Sequence, residues 1–499
     1  MKRVRAKTKQ KSKPKKAKAK KAFVAKRKRE KRRGVRSLRG KYKHLDLMKG
    51  LVEARKEERK RERERIPPKS QKTKARANGR RVVREESPAY RVLHQHDLFE
   101  SEKSNGQKLG YSPAYGMPAF TSFRSVTPGT NLSSLNLNWR EVDLPEKERT
   151  KHVHRLHPYL GKFIPQLVEI FLRKFRPKVA YDPFAGSGTT LVEAKALGID
   201  SIGCDVSAFN CLLMKVKTDV YDLRKLEREI RDILERLNKA LTSSLFGEKA
   251  SSIETESAYL KRWFHPNSLA ELLLFRELLQ EYEYTDVLKV VLSRSARSAR
   301  LTTHFDLDFP KHPQTEPYYC YKHARTCEPT QDALQFLNRY ALDTLDRIKE
   351  LSRVARPNKT LILHDDARFA RLPKFDLAIT SPPYVGLIDY HEQHRYAYEL
   401  LGLPFQAEQE IGAASKGHSI KAKKNYCNEI GEVFANVRRH LKPGGHVVIV
   451  VNDKNDLYDY VAQQTGFVVE QRLKRHVNRR TGRRSGDFFE EVLIWKAND

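Results

Sequence analysis

The stretch Asp182–Thr190, DPFAGSGTT, decides how this sequence folds, because it joins a predicted strand at Lys178 to Tyr181 to a predicted helix at Thr190 to Leu197. Its two glycines let the backbone turn tightly and approach a ligand, while the free N–H groups of the helix end face that ligand. A Gly-x-Gly turn of this kind also occurs without any ligand. The stretch has neither the ending of a phosphate loop nor the third glycine of a dinucleotide fingerprint, so a nucleoside fits it better than a pyrophosphate.

An acidic residue ends the next predicted strand, Ser201 to Cys204. Asp205 follows that strand 17 residues after Gly188, which is the position where a nucleoside ribose presents its hydroxyls in this kind of fold. The other interpretation is that Asp205 only caps the helix that follows it. The two features together favour a nucleoside-containing ligand.

Apolar strands alternate with helical segments from Lys151 onward, which predicts an α/β fold with a doubly wound, mostly parallel sheet of about seven strands. About 155 residues separate the second strand from the third, whereas a crossover needs only about 30. We therefore expect a helical insert at 218–356 within a domain formed by 151–217 and 357–499. The seven strands are expected at Lys178 to Tyr181, Ser201 to Cys204, Thr360 to Leu363, Phe375 to Ile379, His446 to Val451, Phe467 to Leu473 and Glu490 to Trp495.

The charge of the 499-residue chain is concentrated at its N-terminus. Residues 1–80 hold 36 Lys and Arg against 7 Asp and Glu, so they carry +29 of the total +37. With few apolar side chains to bury, these residues are predicted to form a largely disordered tail that binds polyanions. Residues 81–150 are expected to be an extended arm or linker, with strand-like pieces such as Leu132 to Val142. The sequence lacks an apolar run long enough to cross a bilayer, and its five cysteines are too few for a disulfide framework. These features predict a cytoplasmic, nucleoid-associated protein without membrane contacts.

A second constellation, Ser381-Pro382-Pro383-Tyr384, follows the strand Phe375 to Ile379. The prolines restrict the backbone so that the Ser381 side chain and the Pro382 carbonyl can face one point, beside the flat ring of Tyr384. An exocyclic amino group would find two acceptors and a stacking surface there. Taken alone, the tetrapeptide is also compatible with an ordinary proline turn.

Together these motifs resemble those of the S-adenosylmethionine-dependent amino-group DNA methyltransferases, which modify N4 of cytosine or N6 of adenine. The resemblance covers about Lys151 to Trp495 and implies a Rossmann-like sheet with S-adenosylmethionine as cofactor. It implies that the first motif holds the methionine end, that Asp205 binds the ribose, and that the segment HPYLGKFIP at 157–165 packs over the methionine portion. One of the aspartates in HDDAR at 364–368 should lie near the adenine. The implied cofactor-binding residues are Tyr159, Lys162, Phe163, Asp182, Phe184, Gly186, Gly188, Thr189, Asp205, Asp365 and Asp366.

The same resemblance implies that Ser381, Pro382, Pro383 and Tyr384 are the catalytic residues and act on a base flipped out of the duplex. In this family the Ser form of the tetrapeptide is more often associated with cytosine N4 than with adenine N6. The insert takes the place of a target-recognition region, although it opens after the second strand rather than, as is commoner in the family, after the third. The implied partners are double-stranded DNA and a cognate restriction endonuclease. An RNA base methyltransferase, or a non-catalytic nucleic-acid-binding protein, remains an alternative.

Basic and aromatic residues supply candidate nucleic-acid contacts. Arg294, Arg297 and Arg300 are predicted to share one broad helix face that meets phosphates, and Tyr319 and Lys322 belong to a loop in which aromatic and basic residues alternate. A turn between the last two strands adds Arg479, Arg480, Arg483 and Arg484. The segment Cys320-x2-His323-x3-Cys327 has the chemistry of a metal site, but it lacks a fourth ligand and a usual zinc spacing, so no metal is predicted.

Overall fold

A computed structural model describes residues 120–242, 255–304, 306–308, 310–417, 419–453, 456–477 and 488–498. The predicted tail at 1–80, most of the predicted arm and the basic turn at 479–484 lie outside these ranges. Within the described ranges, no helix combines the length and the apolar content needed to cross a membrane.

The main sheet has seven strands, and they coincide with the seven predicted segments. The strands of the structure are Val179–Asp182 (β1), Asp200–Asp205 (β2), Tyr318–Cys320 (β3), Arg325–Cys327 (β4), Thr360–His364 (β5), Phe375–Thr380 (β6), Leu441–Val451 (β7), Phe467–His476 (β8) and Phe489–Ala497 (β9). A separate two-stranded hairpin, β3-β4, was not predicted. The spatial order in the main sheet is β5-β2-β1-β6-β7-β9-β8; the first five of these strands are parallel, and β9 runs antiparallel to both of its neighbours.

Helices cover the sheet. They are Glu146–Arg149 (α1), Pro165–Phe175 (α2), Thr189–Leu197 (α3), Ala208–Thr218 (α4), Leu223–Thr242 (α5), Ala258–Trp263 (α6), Pro266–Leu278 (α7), Thr285–Ala299 (α8), Leu334–Ser352 (α9), Tyr390–Gln393 (α10), Arg395–Leu401 (α11), Ile420–His440 (α12) and Leu457–Gln464 (α13). Short 3-10 helices lie at Leu132–Ser134, His152–Arg155, Leu279–Glu281, Ala407–Gln409 and Ala414–Lys416.

The apolar strands bury both of their faces, as expected when helices flank a parallel sheet. In β7, Ile449 packs with Trp495 and α12 on one face, while Val448 and Val450 pack with α2 on the other. This alternation follows from the period of two along a strand. The predicted doubly wound, Rossmann-like α/β fold is therefore confirmed.

The helices between β2 and β5 share one core with the sheet domain. Apolar residues of α5 and of α7 to α9 form a continuous buried cluster with Phe209 and Leu213 of α4 and with Leu156. These helices span 223–352, inside the predicted insert at 218–356. They lie against the sheet domain through α4, which itself packs on β2 and β5.

The described part of the predicted arm, from residue 120 onward, packs on the sheet domain without forming a strand. Leu137 and Trp139 are buried in the same cluster as α2 and the strands β7 and β9. The side chain of Asn138 accepts a hydrogen bond of 2.7 Å from the backbone N–H of His476 in β8. The strand-like pattern at Leu132 to Val142 thus reflects one-sided burial of an irregular segment.

Candidate functional site

A cavity lies at the carboxyl ends of β1, β2, β5 and β6. In the sheet, β1 lies between β2 and β6. The connections that leave the sheet on the β2 side of β1 and on its β6 side therefore run in opposite directions. A crevice opens at the strand ends between these connections. The residues that line the cavity are Tyr159, Gly161, Lys162, Phe163, Pro183, Phe184, Ala185, Gly186, Ser187, Thr189, Asp205, Val206, Ser207, Asn210, Asp365, Asp366, Ala367, Ser381, Pro383, Tyr390, His391, Gln409, Glu410 and Ile411.

The glycine turn forms one wall of this cavity. Gly186 has a φ of +49°, and a Cβ there would meet the Tyr159 hydroxyl at 3.0 Å, so both the backbone and the space require glycine. Gly188, with a φ of +80°, is the N-cap of α3, and a Cβ there would meet Met214 rather than the cavity. The turn therefore exposes backbone to the cavity at Gly186, while Gly188 allows the helix to start.

Asp182 holds the turn from beneath and is not among the cavity-lining residues. Its carboxylate accepts hydrogen bonds from the hydroxyls of Thr190 at 2.6 Å and Thr380 at 2.7 Å, and from the N–H of Phe184 at 3.1 Å. These contacts tie together the end of β1, the start of α3 and the end of β6. Burial raises the pKa of Asp182 to about 6. Asp182 therefore supports the turn, and the direct cofactor contact predicted for it stays a prediction.

Asp205 lines the cavity at the end of β2. Its carboxylate accepts hydrogen bonds from the backbone N–H groups of Gly186 at 2.8 Å and Ser207 at 2.9 Å, and from the side-chain amide of Asn210 at 3.0 Å. Burial raises its pKa. The N-cap of α4 is Ser207, whose hydroxyl accepts from the N–H of Asn210. Asp205 is therefore not the cap of α4, the alternative that its position in the sequence left open.

Aromatic rings lie next to the glycine turn in the cavity wall. The Tyr159 ring stacks on Tyr390 and on His394, with centroid distances of 5.6 and 5.5 Å, and its hydroxyl accepts a hydrogen bond from Asn210 at 3.1 Å. Nearby, the ammonium group of Lys162 donates to the carbonyl of His154 at 2.7 Å. Burial, with a smaller contribution from the charge of Arg155, lowers the pKa of Lys162 to about 8.

The two aspartates after β5 differ in what they contact. The carboxylate of Asp366 forms an ion pair with Arg368 at 2.6 Å and also accepts from the Arg368 backbone. The carboxylate of Asp365 accepts from the N–H of Asp366 at 2.8 Å, and its residue is exposed. Asp365 thus has the carboxylate with more capacity left for a ligand.

The tetrapeptide at the end of β6 reaches the same cavity through Ser381 and Pro383. The Ser381 hydroxyl donates to the carbonyl of Val450 at 2.9 Å, which leaves its oxygen lone pairs free to accept. Tyr426 donates to the Pro383 carbonyl at 2.9 Å, whereas the Pro382 carbonyl accepts no hydrogen bond from the described part of the chain. Tyr384 is half-buried and packs against the cluster below the sheet edge. Pro382 and Tyr384 are not cavity-lining residues.

The prediction that Arg294, Arg297 and Arg300 form an exposed basic face on α8 is wrong. Arg294 is 8% exposed; its guanidinium pairs with Asp343 at 2.6 Å and lies 4.2 Å from the Tyr340 ring centroid. Arg297 pairs with Asp308. Arg300, 3% exposed, donates to the Leu307 carbonyl at 2.7 Å and lies over the Tyr396 ring. All three side chains are engaged inside the protein, so they do not form a surface for phosphates.

The other candidate nucleic-acid contacts fall in two places. Tyr319 and Lys322 lie exposed on the β3-β4 hairpin, where Tyr319 contacts Tyr321 edge to face at 5.2 Å. The arginines at 479, 480, 483 and 484 lie outside the described residues. The hairpin is thus the described surface that retains the predicted mix of aromatic and basic groups.

Several cavity residues had no signal in the sequence. Glu410 accepts from the backbone N–H groups of Tyr390 at 3.0 Å and His391 at 2.6 Å, and it also contacts the His391 ring, so it fixes the segment that follows the tetrapeptide. Only the fold brings it there. Ser207 and Asn210 could have been found, because a helix start directly after Asp205 places an N-cap and its third residue beside the strand end.

Comparisons with known proteins support the sequence resemblance. A family model for N6 and N4 methyltransferases, described as DNA methylase, matches residues 4–215. The chain is 36% identical over 436 residues to the type II methyltransferase M.MjaII of Methanocaldococcus jannaschii, covering 71% of this chain and 82% of that protein. It is 24% identical over 300 residues to the type II methyltransferase M.MvaI of Kocuria varians, covering 56% and 62%.

Among solved structures, the rRNA methyltransferase aviRa of Streptomyces viridochromogenes matches with a TM-score of 0.28 and 12% identity, covering 71% of this chain and 95% of that one. The strand order of the main sheet establishes the fold of this chain.

Proposed function

The chain belongs to the amino-group DNA methyltransferases, and we propose that it methylates N4 of cytosine, in preference to N6 of adenine, within a specific double-stranded DNA sequence. The observation that carries this proposal is one cavity lined by both the glycine turn with Asp205 and the tetrapeptide residues Ser381 and Pro383. A cofactor site and an amino-group site that share a cavity allow direct transfer between them.

S-adenosylmethionine is the methyl donor, and its sulfonium makes the methyl group electrophilic. The cavity fits this molecule. The hydroxyl of Ser187 and the side-chain oxygen of Asn210 are buried without a hydrogen-bond partner among the described residues, so both are free to meet the polar groups of a ligand. The Asp205 carboxylate would accept from the ribose, and the Tyr159 and Phe184 rings would supply apolar surface. For the adenine amino group we propose Asp365 rather than Asp366, since Arg368 already engages the latter.

The tetrapeptide is proposed to hold the target amino group. The Ser381 hydroxyl oxygen and the unoccupied Pro382 carbonyl would accept its two N–H bonds, and the Tyr384 ring would stack on the base. These acceptors would stabilise the positive charge that develops on the nitrogen as it bonds to the methyl carbon and the carbon–sulfur bond breaks. S-adenosylhomocysteine would be the leaving group, and the surplus proton of the methylated amine would pass to water. Catalysis is then mainly alignment, because holding the nitrogen about 3 Å from the methyl carbon makes the reaction effectively unimolecular.

The preference for cytosine is supported by the serine that begins the tetrapeptide, and the DNA partner by the family. The names of both relatives as type II methyltransferases support a cognate restriction endonuclease as a second partner. For DNA contact we propose the hairpin residues Tyr319 and Lys322 and the basic turn at 479–484.

The test is methyl transfer followed by analysis of the modified nucleosides. Full-length enzyme, labelled S-adenosylmethionine and double-stranded DNA of random sequence are expected to yield N4-methylcytosine at one sequence context. Base-resolved mapping of the modified cytosines then defines that sequence context. Exclusive N6-methyladenine would overturn the cytosine assignment, and label that enters RNA but not DNA would overturn the substrate assignment.

A further inference from the structure

The β3-β4 hairpin is too small to be stable by itself. Each strand has three residues, and isolated two-stranded hairpins are marginal in water. Most of its side chains are exposed, including Tyr319 and Tyr321, whereas Cys320 and Cys327 are buried at 1% and 7% exposure. Something other than an apolar core must therefore fix this hairpin.

Four potential metal ligands meet where the two strands and the preceding loop come together. They are the Sγ atoms of Cys320 and Cys327 and the Nδ1 atoms of His304 and His323, all within 4.8 Å of one another. The Cys320 sulfur lies 3.8 Å from His304 Nδ1 and 3.7 Å from His323 Nδ1, and the Cys327 sulfur lies 3.4 Å from His323 Nδ1.

These separations match a tetrahedral zinc centre. With Zn–S bonds of about 2.3 Å and Zn–N bonds of about 2.0 to 2.1 Å, tetrahedral geometry places sulfur and nitrogen ligands about 3.6 Å apart. The observed sulfur–nitrogen distances scatter around that value. Two thiolate sulfurs and two imidazoles also select zinc, because magnesium and calcium bind oxygen ligands instead.

We propose that His304, Cys320, His323 and Cys327 bind one zinc ion that stabilises the hairpin. With four protein ligands the centre is closed, so its role is structural and not catalytic. Both thiols lose their protons on binding, and the two thiolates neutralise the charge of the ion. The Tyr318 hydroxyl, 2.9 Å from His304 Nδ1, would give up that contact but still accept from the His304 backbone N–H.

A second His and Glu cluster, buried beneath the sheet domain, does not have these properties. His154 and Lys151 both contact the Glu193 carboxylate, at 2.7 and 2.9 Å. The ammonium group of Lys151 already satisfies the charge of Glu193, and a divalent ion would be repelled by it. The hairpin cluster has no such cation among its ligands.

The proposal is tested by the metal content of the full-length protein purified without chelators. Elemental mass spectrometry should find about one zinc per chain, as a closed structural site requires. Replacement with cobalt should give the intense visible absorption of a tetrahedral centre and the charge-transfer bands of thiolate ligation. Cys320→Ser and His304→Ala should each weaken zinc binding by at least about 10- to 100-fold, the loss typical even of changes to residues that only support a ligand.

Matched controls separate ligand loss from misfolding. His312→Ala changes an exposed histidine of the same loop, and Cys427→Ser changes a buried thiol far along the chain; both should retain one zinc. Unchanged S-adenosylmethionine binding in Cys320→Ser, measured by calorimetry, would show that the sheet domain still folds. Wild-type protein without zinc and without cobalt–thiolate bands overturns the proposal, as does a Cys320–Cys327 disulfide in the full-length enzyme or a Cys320→Ser variant that binds zinc as tightly as wild type.

Discussion

The Asp205 carboxylate is the polar group that should contribute most to cofactor affinity. If it accepts hydrogen bonds from two ribose hydroxyls, Asp205→Ala should cost about 2 kcal/mol, or roughly 30-fold in Kd for S-adenosylmethionine. Isothermal calorimetry measures this change, with DNA affinity as the control, which should remain the same. An unaltered cofactor Kd would leave Asp205 with only its contacts to Gly186, Ser207 and Asn210.

Changes to the tetrapeptide should separate catalysis from cofactor binding. Ser381→Ala removes an acceptor and Tyr384→Ala removes the stacking ring, so each should lower kcat by about 100-fold or more while the cofactor still binds. Tyr384→Phe, which keeps the ring, should stay close to wild type. Single-turnover rates measure the effect. Wild-type rates in both alanine variants would contradict the assigned roles.

The lowered pKa of Lys162 gives cofactor binding a pH dependence. Its pKa of about 8 lies below the ordinary lysine value of 10.5 because the ammonium group is buried, so above pH 8 the free enzyme loses this charge. If Lys162 meets the carboxylate of S-adenosylmethionine, affinity should fall as pH rises through about 8. Calorimetry at pH 7 and 9.5 tests this. Lys162→Gln should bind more weakly at pH 7 and lose the dependence; a parallel decline in both proteins would point to another group.

Among single residues, the sequence could identify those whose chemistry depends on nearby positions in the chain. Gly186 comes five residues after one predicted strand and Asp205 directly after the next, so their place at the sheet edge was predictable. Glu410 reaches the same cavity from a segment without a recognisable motif, and His304 lies 16 positions before Cys320. Such partners depend on tertiary packing, which a spacing rule does not contain.

At the level of elements, α8 and the β3-β4 hairpin differ in where their basic residues lie. The arginines of α8 are engaged inside the protein, whereas Lys322 of the hairpin is exposed. Arg294 is a structural residue, so Arg294→Ala should destabilise the protein by about 2 kcal/mol, because it removes a buried guanidinium that pairs with Asp343 and packs on the Tyr340 ring and leaves Asp343 with only the longer contact to Arg347. The salt dependence of DNA binding should not change. Lys322→Ala, on the exposed hairpin, should do the opposite: stability stays the same and the slope of log affinity against log salt falls by about 0.9.

Denaturant unfolding and DNA titrations at several salt concentrations measure both effects. A reduced salt slope in Arg294→Ala, with Lys322→Ala unchanged, would restore α8 as the phosphate-binding element.

The helical pattern of α8 could not distinguish an exposed basic face from a buried one, because a row of arginines looks the same in the sequence whether solvent or Asp343 and Tyr340 face it. The seven sheet strands were predictable since their apolar runs alternate with helices, whereas three-residue strands carry too little pattern to detect.

At the scale of the whole molecule, we expect residues 1–80 to contribute to DNA affinity but not to the choice of DNA sequence. Residues 1–80 carry +29 of the +37 charge but few apolar groups with which to read base edges. Deleting them should weaken DNA binding uniformly across sequences and flatten the salt dependence by about 0.9 for each DNA phosphate that these residues neutralise. The methylated sequence should stay the same, as base-resolved mapping would show. A new methylation context, or an unaltered salt slope, would contradict this division.

The strand order also determines when this protein can fold during its synthesis. The central strand β1 pairs with β6, and the Val179 N–H donates to the side chain of Asp376, 197 positions later. At roughly 5–20 residues per second, a ribosome needs about 10 to 40 s to make that stretch, during which one edge of β1 has no partner. An unpaired apolar edge invites association with other nascent chains. Holdase chaperones should therefore protect this enzyme more than one whose neighbouring strands are consecutive in sequence.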